Sequence, residues 1–242
     1  MRVAAISDIH GNLYALEAVL DAVAKDSPDE IWCLGDVVGY GPRPNPCCRL
    51  VAEQARIGLA GNHDLGVLGL IDLEEFSYDA AFSARWTRSV LTDESRTYLE
   101  GLPSQAKADG AELFHGSPTD PVWDYILTME GALDALLRTE AGVVLVGHSH
   151  AALAIGLDSS SLDGGLAPDG TEVELTGKRW LLNPGSVGQP RDGDARAAYL
   201  LLDFDAGQAM FRRVPYAVER TQAEIRERKL PESLAERLAH GV

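Results

Sequence analysis

Positive charge is scarce in this chain, whose 242 residues include 21 Lys and Arg against 37 Asp and Glu, for a formal net charge of −16. Nucleic acids and anionic membranes attract basic surfaces, so this balance opposes extended contact with either one. We therefore expect neither a membrane nor double-stranded nucleic acid as a partner. Any phosphate-bearing ligand must be attracted locally, and bound cations are the simplest means.

Cysteines and long apolar segments are also few. Cys33 stands alone, and Cys47 and Cys48 are adjacent, an arrangement that ordinary disulfide geometry seldom accommodates. No stretch approaches the roughly 18 apolar residues of a membrane-spanning helix. Residues 1–7 are too short for the apolar region of a signal peptide. These features predict a cytoplasmic protein.

The order of the apolar runs predicts an α/β fold built from consecutive βαβ units. A short apolar run at 3–6 precedes a polar loop and a helical pattern at 13–23, and the run at 31–34 begins the same order again. Nothing in the chain resembles a linker, so we expect one domain over residues 1–242. Further strands are predicted at 112–114 and 143–146, with two helices within 74–99 and one near 130–138.

After residue 150 the pattern changes to strand-like runs joined by turns. A turn region rich in Gly, Asp and Ser occupies 158–170. We expect the surrounding runs to form antiparallel strands of a second sheet, closed by a helical tail from about 218 to 240. The runs lie at 151–157, 179–182, 197–204 and 209–214.

Polar side chains follow the first three predicted strands. Asp8, Asp36 and Asn62 are separated by 28 and 26 positions, each close to one βαβ repeat of roughly 30 residues. The spacing predicts all three at the carboxyl ends of neighbouring parallel strands, where open α/β sheets bind their ligands. Taken singly, each residue has a structural alternative, because such side chains also cap helices and form turns.

Five of the six histidines fall in short polar clusters at predicted strand ends, and only His240, which we expect to face solvent, lies outside them. Two imidazoles separated by one residue, as in His148-Ser149-His150, seldom serve packing alone, so this cluster favours metal binding. Hydrolytic sites with two metal ions about 3.5–4 Å apart need roughly seven protein donors. The chain offers Asp8, His10, Asp36, Asn62, His115, His148 and His150.

His63 is the remaining clustered histidine, and Asp64 directly after it could orient the imidazole and raise its pKa. An imidazolium here would stabilise a phosphoryl oxygen or protonate a leaving alkoxide. The alternative is a histidine that only supports the metal ligands. Tyr40, Arg43 and Arg191 are weaker candidates for substrate contact, because arginines are more often solvated or paired with acids and a tyrosine can simply line its loop.

In this order, the motifs resemble those of the calcineurin-like metallophosphoesterases. They are Asp8-x-His10, Gly35-Asp36, Gly61-Asn62-His63-Asp64, His115-Gly116 and Gly147-His148-Ser149-His150, and they span residues 8–150. The stretch Asn183-Pro184-Gly185-Ser186-Val187-Gly188 resembles one in the small bacterial and archaeal branch of that superfamily. The resemblance implies an α/β fold of the four-layer αββα sandwich type, with two mixed sheets flanked by helices around a dinuclear metal centre.

By position, the resemblance also implies two sets of ligands and one catalytic residue. The first metal ion would be held by Asp8, His10 and His150, the second by Asn62, His115 and His148, and Asp36 would bridge them. His63 matches the catalytic histidine. Such proteins use manganese, iron, zinc, nickel or cobalt, and the oxygen and nitrogen donors of this chain favour manganese.

These expectations describe a cytoplasmic phosphoesterase, with phosphodiesterase as the first choice, acting on small phosphate esters or nucleotides. A hydroxide bridging the two metal ions would attack phosphorus. Phosphomonoesterase and protein phosphatase are the enzymatic alternatives, and a non-catalytic metal-binding interaction scaffold is the alternative from another class. Exposed strand and helix edges also allow a homodimer.

Overall fold

A computed structural model describes residues 1–242. None of its helices is both long and apolar enough to span a bilayer. The strands are β1 (Arg2–Ile6), β2 (Glu30–Cys33), β3 (Ile57–Gly58), β4 (Gln105–Ala108), β5 (Ala111–Phe114), β6 (Val143–Leu145), β7 (Ala152–Leu157), β8 (Leu162–Leu166), β9 (Glu172–Glu174), β10 (Arg179–Pro184), β11 (Ala197–Asp203) and β12 (Gln208–Val214). The helices are α1 (Leu13–Asp26), α2 (Pro44–Gln54), α3 (Asn62–Leu68), α4 (Tyr78–Val90), α5 (Asp93–Glu100), α6 (Met129–Leu137), α7 (Val218–Glu227) and α8 (Glu232–Glu236), followed by a 3-10 turn at Arg237–Ala239.

The strands form two mixed sheets of six strands each. Their order is β3-β2-β1-β11-β12-β9 in the first sheet and β4-β5-β6-β10-β7-β8 in the second. The strands β1, β2 and β3 run parallel, as do β5, β6 and β10. The other neighbouring pairs are antiparallel. Each sheet therefore contains a parallel part with strand ends on one edge.

The two-residue period of the strands divides their side chains between two faces. In β1, Val3 and Ala5 belong to a core of 18 buried residues between the sheets, whereas Ala4 and Ile6 belong to a core of 22 shared with α1 and α2. A third core of 9 residues lies between the second sheet and α6. The order of layers is α, β, β, α, which confirms the fold class predicted from the sequence.

The expectation that all strands after residue 150 form one antiparallel sheet is wrong. The strands β7, β8 and β10 extend the second sheet, but β11 pairs with β1 and carries β12 and β9 into the first sheet. Six of the seven residues of β11 are buried, and a place inside a covered sheet is what such an apolar strand requires. The turn region at 158–170 also contains β8, and the short, polar strands β4 and β9 carry no predictive pattern.

A buried ion pair ties the two sheets together beside the predicted site. The Arg213 guanidinium on β12 pairs with Asp192, and their side chains are only 3% and 5% exposed. The same carboxylate accepts a hydrogen bond of 2.9 Å from the backbone N–H of Ala152, at the start of β7. Asp192 directly follows Arg191, so the pair also fixes the loop that carries that residue.

Replacing Arg213 by Met should therefore destabilise the protein strongly, because Asp192 would remain buried without its cation. We expect the free energy of unfolding in urea to fall by about 3–5 kcal/mol. The matched control is Arg138→Met, which removes an ion pair with Asp134 whose side chains are both 52% exposed, and which should cost about 0–1 kcal/mol. Equal losses in the two variants would contradict the structural role assigned to the buried pair.

Candidate metal centre

The structure brings together all seven side chains that the sequence marks as candidate metal ligands. Six of them lie in loops at the strand ends of both sheets, Asn62 begins α3, which follows β3, and none is more than 3% exposed. One group comprises Asp8, His10, Asp36 and His150, and the other comprises Asp36, His115 and His148, with the donor atoms of each group within 4.8 Å of one another. Asp36 is common to both groups. Their role as ligands remains a prediction.

The loops that carry these residues have an unusual backbone conformation. Nine residues other than glycine have positive φ, and six of them, five candidate ligands and the adjacent Tyr40, are at this site, with φ between 50° and 64°. They are Asp8, His10, Asp36, Tyr40, His148 and His150. Residues other than glycine avoid positive φ, so surrounding contacts must enforce this conformation. Such conformations concentrate at functional sites.

The ring nitrogens of His10 and His150 face each other without a proton between them. In each ring Nδ1 donates to a backbone carbonyl, that of Val38 at 3.1 Å and that of Gln189 at 2.7 Å. Because a carbonyl only accepts, each Nε2 carries a lone pair when the ring is neutral. Burial lowers the pKa of both histidines well below the usual value, yet their Nε2 atoms are 3.0 Å apart. A cation between them would remove this repulsion.

His115 shows the same arrangement in the other group. Its Nδ1 donates to the Leu34 carbonyl at 2.9 Å, and its Nε2 lies 3.2 Å from Asn62 Oδ1 and 3.4 Å from Asp36 Oδ2. Burial opposes the charged ring, but the negative charges of Asp36 and Asp8 outweigh it and raise the pKa of His115 to about 9. A proton on His115 Nε2 would therefore compete with a metal ion for the same lone pair.

The carboxylates of the cluster have oxygen atoms that no protein group satisfies. Asp8 Oδ2 and Asp36 Oδ2 are buried and lack any hydrogen-bond partner. Their other oxygens accept backbone N–H groups, from His148 at 3.2 Å and from His63 at 2.8 Å. Buried polar groups normally have partners, so two unpartnered carboxylate oxygens in one cluster are available to bind cations. The oxygen and nitrogen donors of the cluster therefore fit divalent metal ions.

Two glycines permit this density of side chains. A Cβ atom at Gly61 would overlap the Asp36 carboxylate, so only glycine allows the third loop to approach the second. Gly39 has φ of +92°, and a Cβ there would come within 2.5 Å of His63 Nδ1. Gly39 and Gly61 are therefore part of the geometry that holds the shared carboxylate and the imidazole of His63.

The stretch 183–188 holds the other loops in place. The Asn183 side-chain amide donates to the Gly147 carbonyl at 2.7 Å and to Ser149 Oγ at 3.0 Å, which fixes the loop of His148 and His150. Ser186 Oγ donates to the Asp8 carbonyl at 2.7 Å. The sequence marks this stretch only by resemblance, and the hydrogen bonds supply its physical reason.

The expected contact between Asp64 and the imidazole of His63 is wrong. The Asp64 carboxylate accepts three backbone N–H groups instead, those of Val37, Val38 and Gly61, at 3.0–3.3 Å. It therefore fixes the loops after β2 and β3. Burial lowers the pKa of His63 to about 4 although Asp36 favours the charged ring, so the predicted rise of this pKa is also wrong. His63 Nδ1 has no partner.

A cavity of about 350 Å³ opens beside the cluster and includes Asn62 and His63 in its wall. Its wall includes the aromatic side chains of Phe76, Trp123 and Tyr125. It also includes the guanidinium groups of Arg191 and Arg237. No motif marks the aromatic side chains or Arg237. Their only sequence signal is an aromatic pair in a loop after a candidate ligand and a basic residue in the helical tail.

The aromatic side chains also support the cluster itself. The Tyr125 ring stacks on His148, with ring centroids 3.7 Å apart and planes 26° apart. His148 Nε2 donates to the Trp123 carbonyl at 3.2 Å, which leaves Nδ1 as the nitrogen with a free lone pair. The loop 115–128 therefore both orients a candidate ligand and borders the cavity.

The weaker sequence candidates have different fates. Arg43 makes two hydrogen bonds of 2.5 and 2.6 Å to Glu224 on α7 and is absent from the cavity wall. Tyr40 is only 8% exposed, and its ring packs 4.3 Å from that of His63 and 4.6 Å from that of His10. Arg191 does reach the cavity. His240 is exposed, as expected.

The family model for the calcineurin-like phosphoesterase superfamily domain matches residues 1–207. The chain belongs to this superfamily. It is 36% identical to an uncharacterized protein of Methanocaldococcus jannaschii, over 99% of this chain and 98% of that one. It is 26% identical to the phosphodiesterase YfcE of Escherichia coli, over 85% of this chain and 89% of YfcE.

A solved structure supports the same placement within the calcineurin-like phosphoesterases. The chain is similar to a metallophosphoesterase from Sphaerobacter thermophilus, with 43% identity and a TM-score of 0.91 over 100% of this chain and 99% of that one. The family, the relatives and the buried cluster of Asp and His residues together support a hydrolase of phosphate esters that can bind metal ions.

Metal binding to this cluster should release protons, because a metal ion competes with the proton on His115. At pH 7 we expect about one proton released per chain, since the pKa of His115 is about 9. The release should grow below pH 6, where Asp8, whose pKa burial raises to about 6, also holds a proton. Apparent metal affinity should therefore fall as pH falls.

Calorimetric titration with Mn²⁺ in two buffers of different ionisation enthalpy measures this release. Above about pH 10 the contribution of His115 should vanish, because its ring is then already neutral. The His240→Ala protein serves as control and should behave like the parent. Metal binding without proton release at pH 7 would contradict the assigned competition.

Proposed function

We propose that this protein is a metal-dependent phosphodiesterase that hydrolyses small phosphate esters or nucleotides at a dinuclear centre. The observation that carries the proposal is the cluster itself, in which the Nε2 atoms of His10 and His150 face each other at 3.0 Å and buried oxygen atoms of Asp8 and Asp36 have no hydrogen-bond partner. Two cations would satisfy this arrangement, and a single cation would leave one of the two groups without its charge partner.

The two groups of donors divide naturally between two ions. In the proposed centre, Asp8, His10 and His150 would hold one ion, Asn62, His115 and His148 would hold the other, and Asp36 would be shared between them. Manganese is the metal we propose, and iron, zinc, nickel and cobalt suit the same donors. When bound, the ions would lower the pKa of a water molecule to near neutrality and neutralise charge on the phosphoryl oxygens.

His63 is the proposed catalytic residue. Its ring lies between the cluster and the cavity, with the centroid 4.8 Å from that of His10, and it belongs to the cavity wall. Its buried ring is neutral near pH 7 in the free protein, given the pKa of about 4. A bound phosphate anion would favour its protonation, so the ring can donate a hydrogen bond or a proton to the leaving oxygen.

The cavity favours a small substrate. A volume of about 350 Å³ is that of a small-molecule site, and an aromatic wall beside the cluster offers contact to an aryl group or a nucleobase. These features favour small esters over a phosphoprotein. The likeness to phosphodiesterase YfcE supports a diester as the first substrate class to test. A single domain, a cytoplasmic location and a homodimer remain predictions.

The test is a hydrolysis screen with protein reconstituted in turn with Mn²⁺, Zn²⁺, Ni²⁺, Co²⁺ and Fe²⁺, using aryl monoesters, aryl diesters and dinucleotides. We expect diester hydrolysis, highest with Mn²⁺ and abolished by a chelator. The His63→Ala protein should lose about 10²–10⁴-fold in kcat while it retains both metal ions. The matched control is His240→Ala, since His240 is exposed and outside the cluster.

Metal analysis of the same samples separates the alternatives. Two bound ions without turnover of any ester would overturn the enzymatic proposal and favour the interaction scaffold. Equal rates for the parent and His63→Ala would leave the reaction standing but remove His63 from it. Faster turnover of monoesters than of diesters would replace the diesterase by a phosphomonoesterase.

A further inference from the structure

Two arginines in the wall of the cavity have no acidic partner. Arg191 donates to Gln189 Oε1 at 2.9 Å and to the Tyr40 hydroxyl at 3.3 Å, and Arg237 donates to the same Gln189 oxygen at 3.3 Å. The Nε atoms of both arginines are buried without any partner. The neutral amide oxygen of Gln189 therefore accepts hydrogen bonds from both guanidinium groups, and the Tyr40 hydroxyl is their only other side-chain acceptor.

The missing counter-charge is informative in a chain of net charge −16. Arg43, Arg196, Arg213 and Arg226 all pair with carboxylates within 3 Å. Arg88 and Arg179 have no acidic partner either, but their side chains donate to backbone carbonyls. The side chains of Arg191 and Arg237 have neither an ion pair nor a carbonyl acceptor from the backbone. A partly buried guanidinium without an anion is costly, and a second one beside it adds repulsion. The wall of the cavity also includes Glu75, which is exposed, and the C-terminal residue Val242, and no carboxylate of either residue lies within 4 Å of the two guanidinium groups. The pair is therefore matched to an external anion.

The position of the pair specifies which part of a substrate would meet it. Arg191 and Arg237 line the same cavity as Asn62 and His63, so an anion bound to them lies next to a phosphoryl group held at the cluster. The backbone N–H of Arg191 also donates to the His150 carbonyl at 3.1 Å, which fixes the distance between the pair and a candidate ligand. Guanidinium groups suit phosphate because their planar array of donors can bind two of its oxygens at once.

We propose that Arg191 and Arg237, oriented by Gln189, form a subsite for a second phosphate group of the substrate, adjacent to the phosphoryl group that is hydrolysed. The preferred substrates are then phosphoanhydrides with an aromatic base, such as dinucleoside diphosphates, over diesters with one phosphate. This proposal rests on the proposed function. In the reaction, the oxygen of water bonds to phosphorus and the bond from phosphorus to the bridging oxygen breaks. The bridging oxygen keeps the electron pair as part of the departing phosphate, and water loses a proton to solvent.

The test compares two substrates that carry two adenosines but differ in phosphate number, diadenosine diphosphate and adenylyl-(3′→5′)-adenosine. We expect Arg237→Gln to lower kcat/KM about tenfold more for diadenosine diphosphate than for adenylyl-(3′→5′)-adenosine, which has one phosphate. The difference should come mainly from KM, because a charged hydrogen bond to the second phosphate is lost. Arg237→Lys should restore part of the difference. The matched control, Arg226→Gln, removes a neighbouring arginine that pairs with Glu232 and should leave both rates unchanged.

Binding without turnover provides an independent measurement. Calorimetry on the metal-loaded protein should show methylenediphosphonate binding more tightly than methylphosphonate, with a difference about tenfold smaller in Arg237→Gln and in Arg191→Gln. If adenylyl-(3′→5′)-adenosine is hydrolysed and Arg237→Gln lowers kcat/KM equally for both substrates, the subsite is overturned and the proposed function stands. Preferential diphosphonate binding without hydrolysis of any substrate would support the subsite and overturn the proposed function.

Discussion

The Nε2 atoms of His10 and His150 face each other beside an oxygen of Asp36 that has no hydrogen-bond partner. This unfavourable contact governs how the surrounding loops are arranged. Burying a polar atom without a hydrogen bond costs about 1–3 kcal/mol, and several such atoms meet here. Metal ions would convert these costs into bonds. The left-handed backbone at five candidate ligands is enforced by the surrounding contacts and accompanies the convergence of their side chains.

The fold supplies this constraint through the strand ends of both sheets. The loops after the three parallel strands of the first sheet provide Asp8, His10, Asp36 and Asn62, and the second sheet provides His115, His148 and His150. Groups behind the donors then fix them, since backbone carbonyls hold the ring nitrogens and Asn183 holds a loop. Charge is also distributed unevenly, because the chain as a whole is acidic while the cavity beside the cluster carries two arginines without acidic partners.

Much of this site could be predicted from sequence, because strand ends recur at a fixed interval and donor residues follow each of them. Asp8 and Asp36 could be placed on one edge from spacing alone. The role of Asp64 could not be predicted, because its neighbour in sequence is His63 whereas its partners are backbone N–H groups, two of which belong to the loop after β2. Arg237 could not either, since its approach to the cavity depends on how the tail packs. The same holds for β11, whose place beside β1 is decided by tertiary burial.

Anomalous X-ray diffraction from crystals of the protein loaded with Mn²⁺ measures directly whether the cluster binds two ions that share Asp36. The structure of the donors predicts two anomalous peaks per chain, on either side of the Asp36 carboxylate and roughly 3.5–4 Å apart. The His10 and His150 rings should contact one ion, and the His115 and His148 rings the other. A single peak, or two peaks that do not share Asp36, would contradict the account.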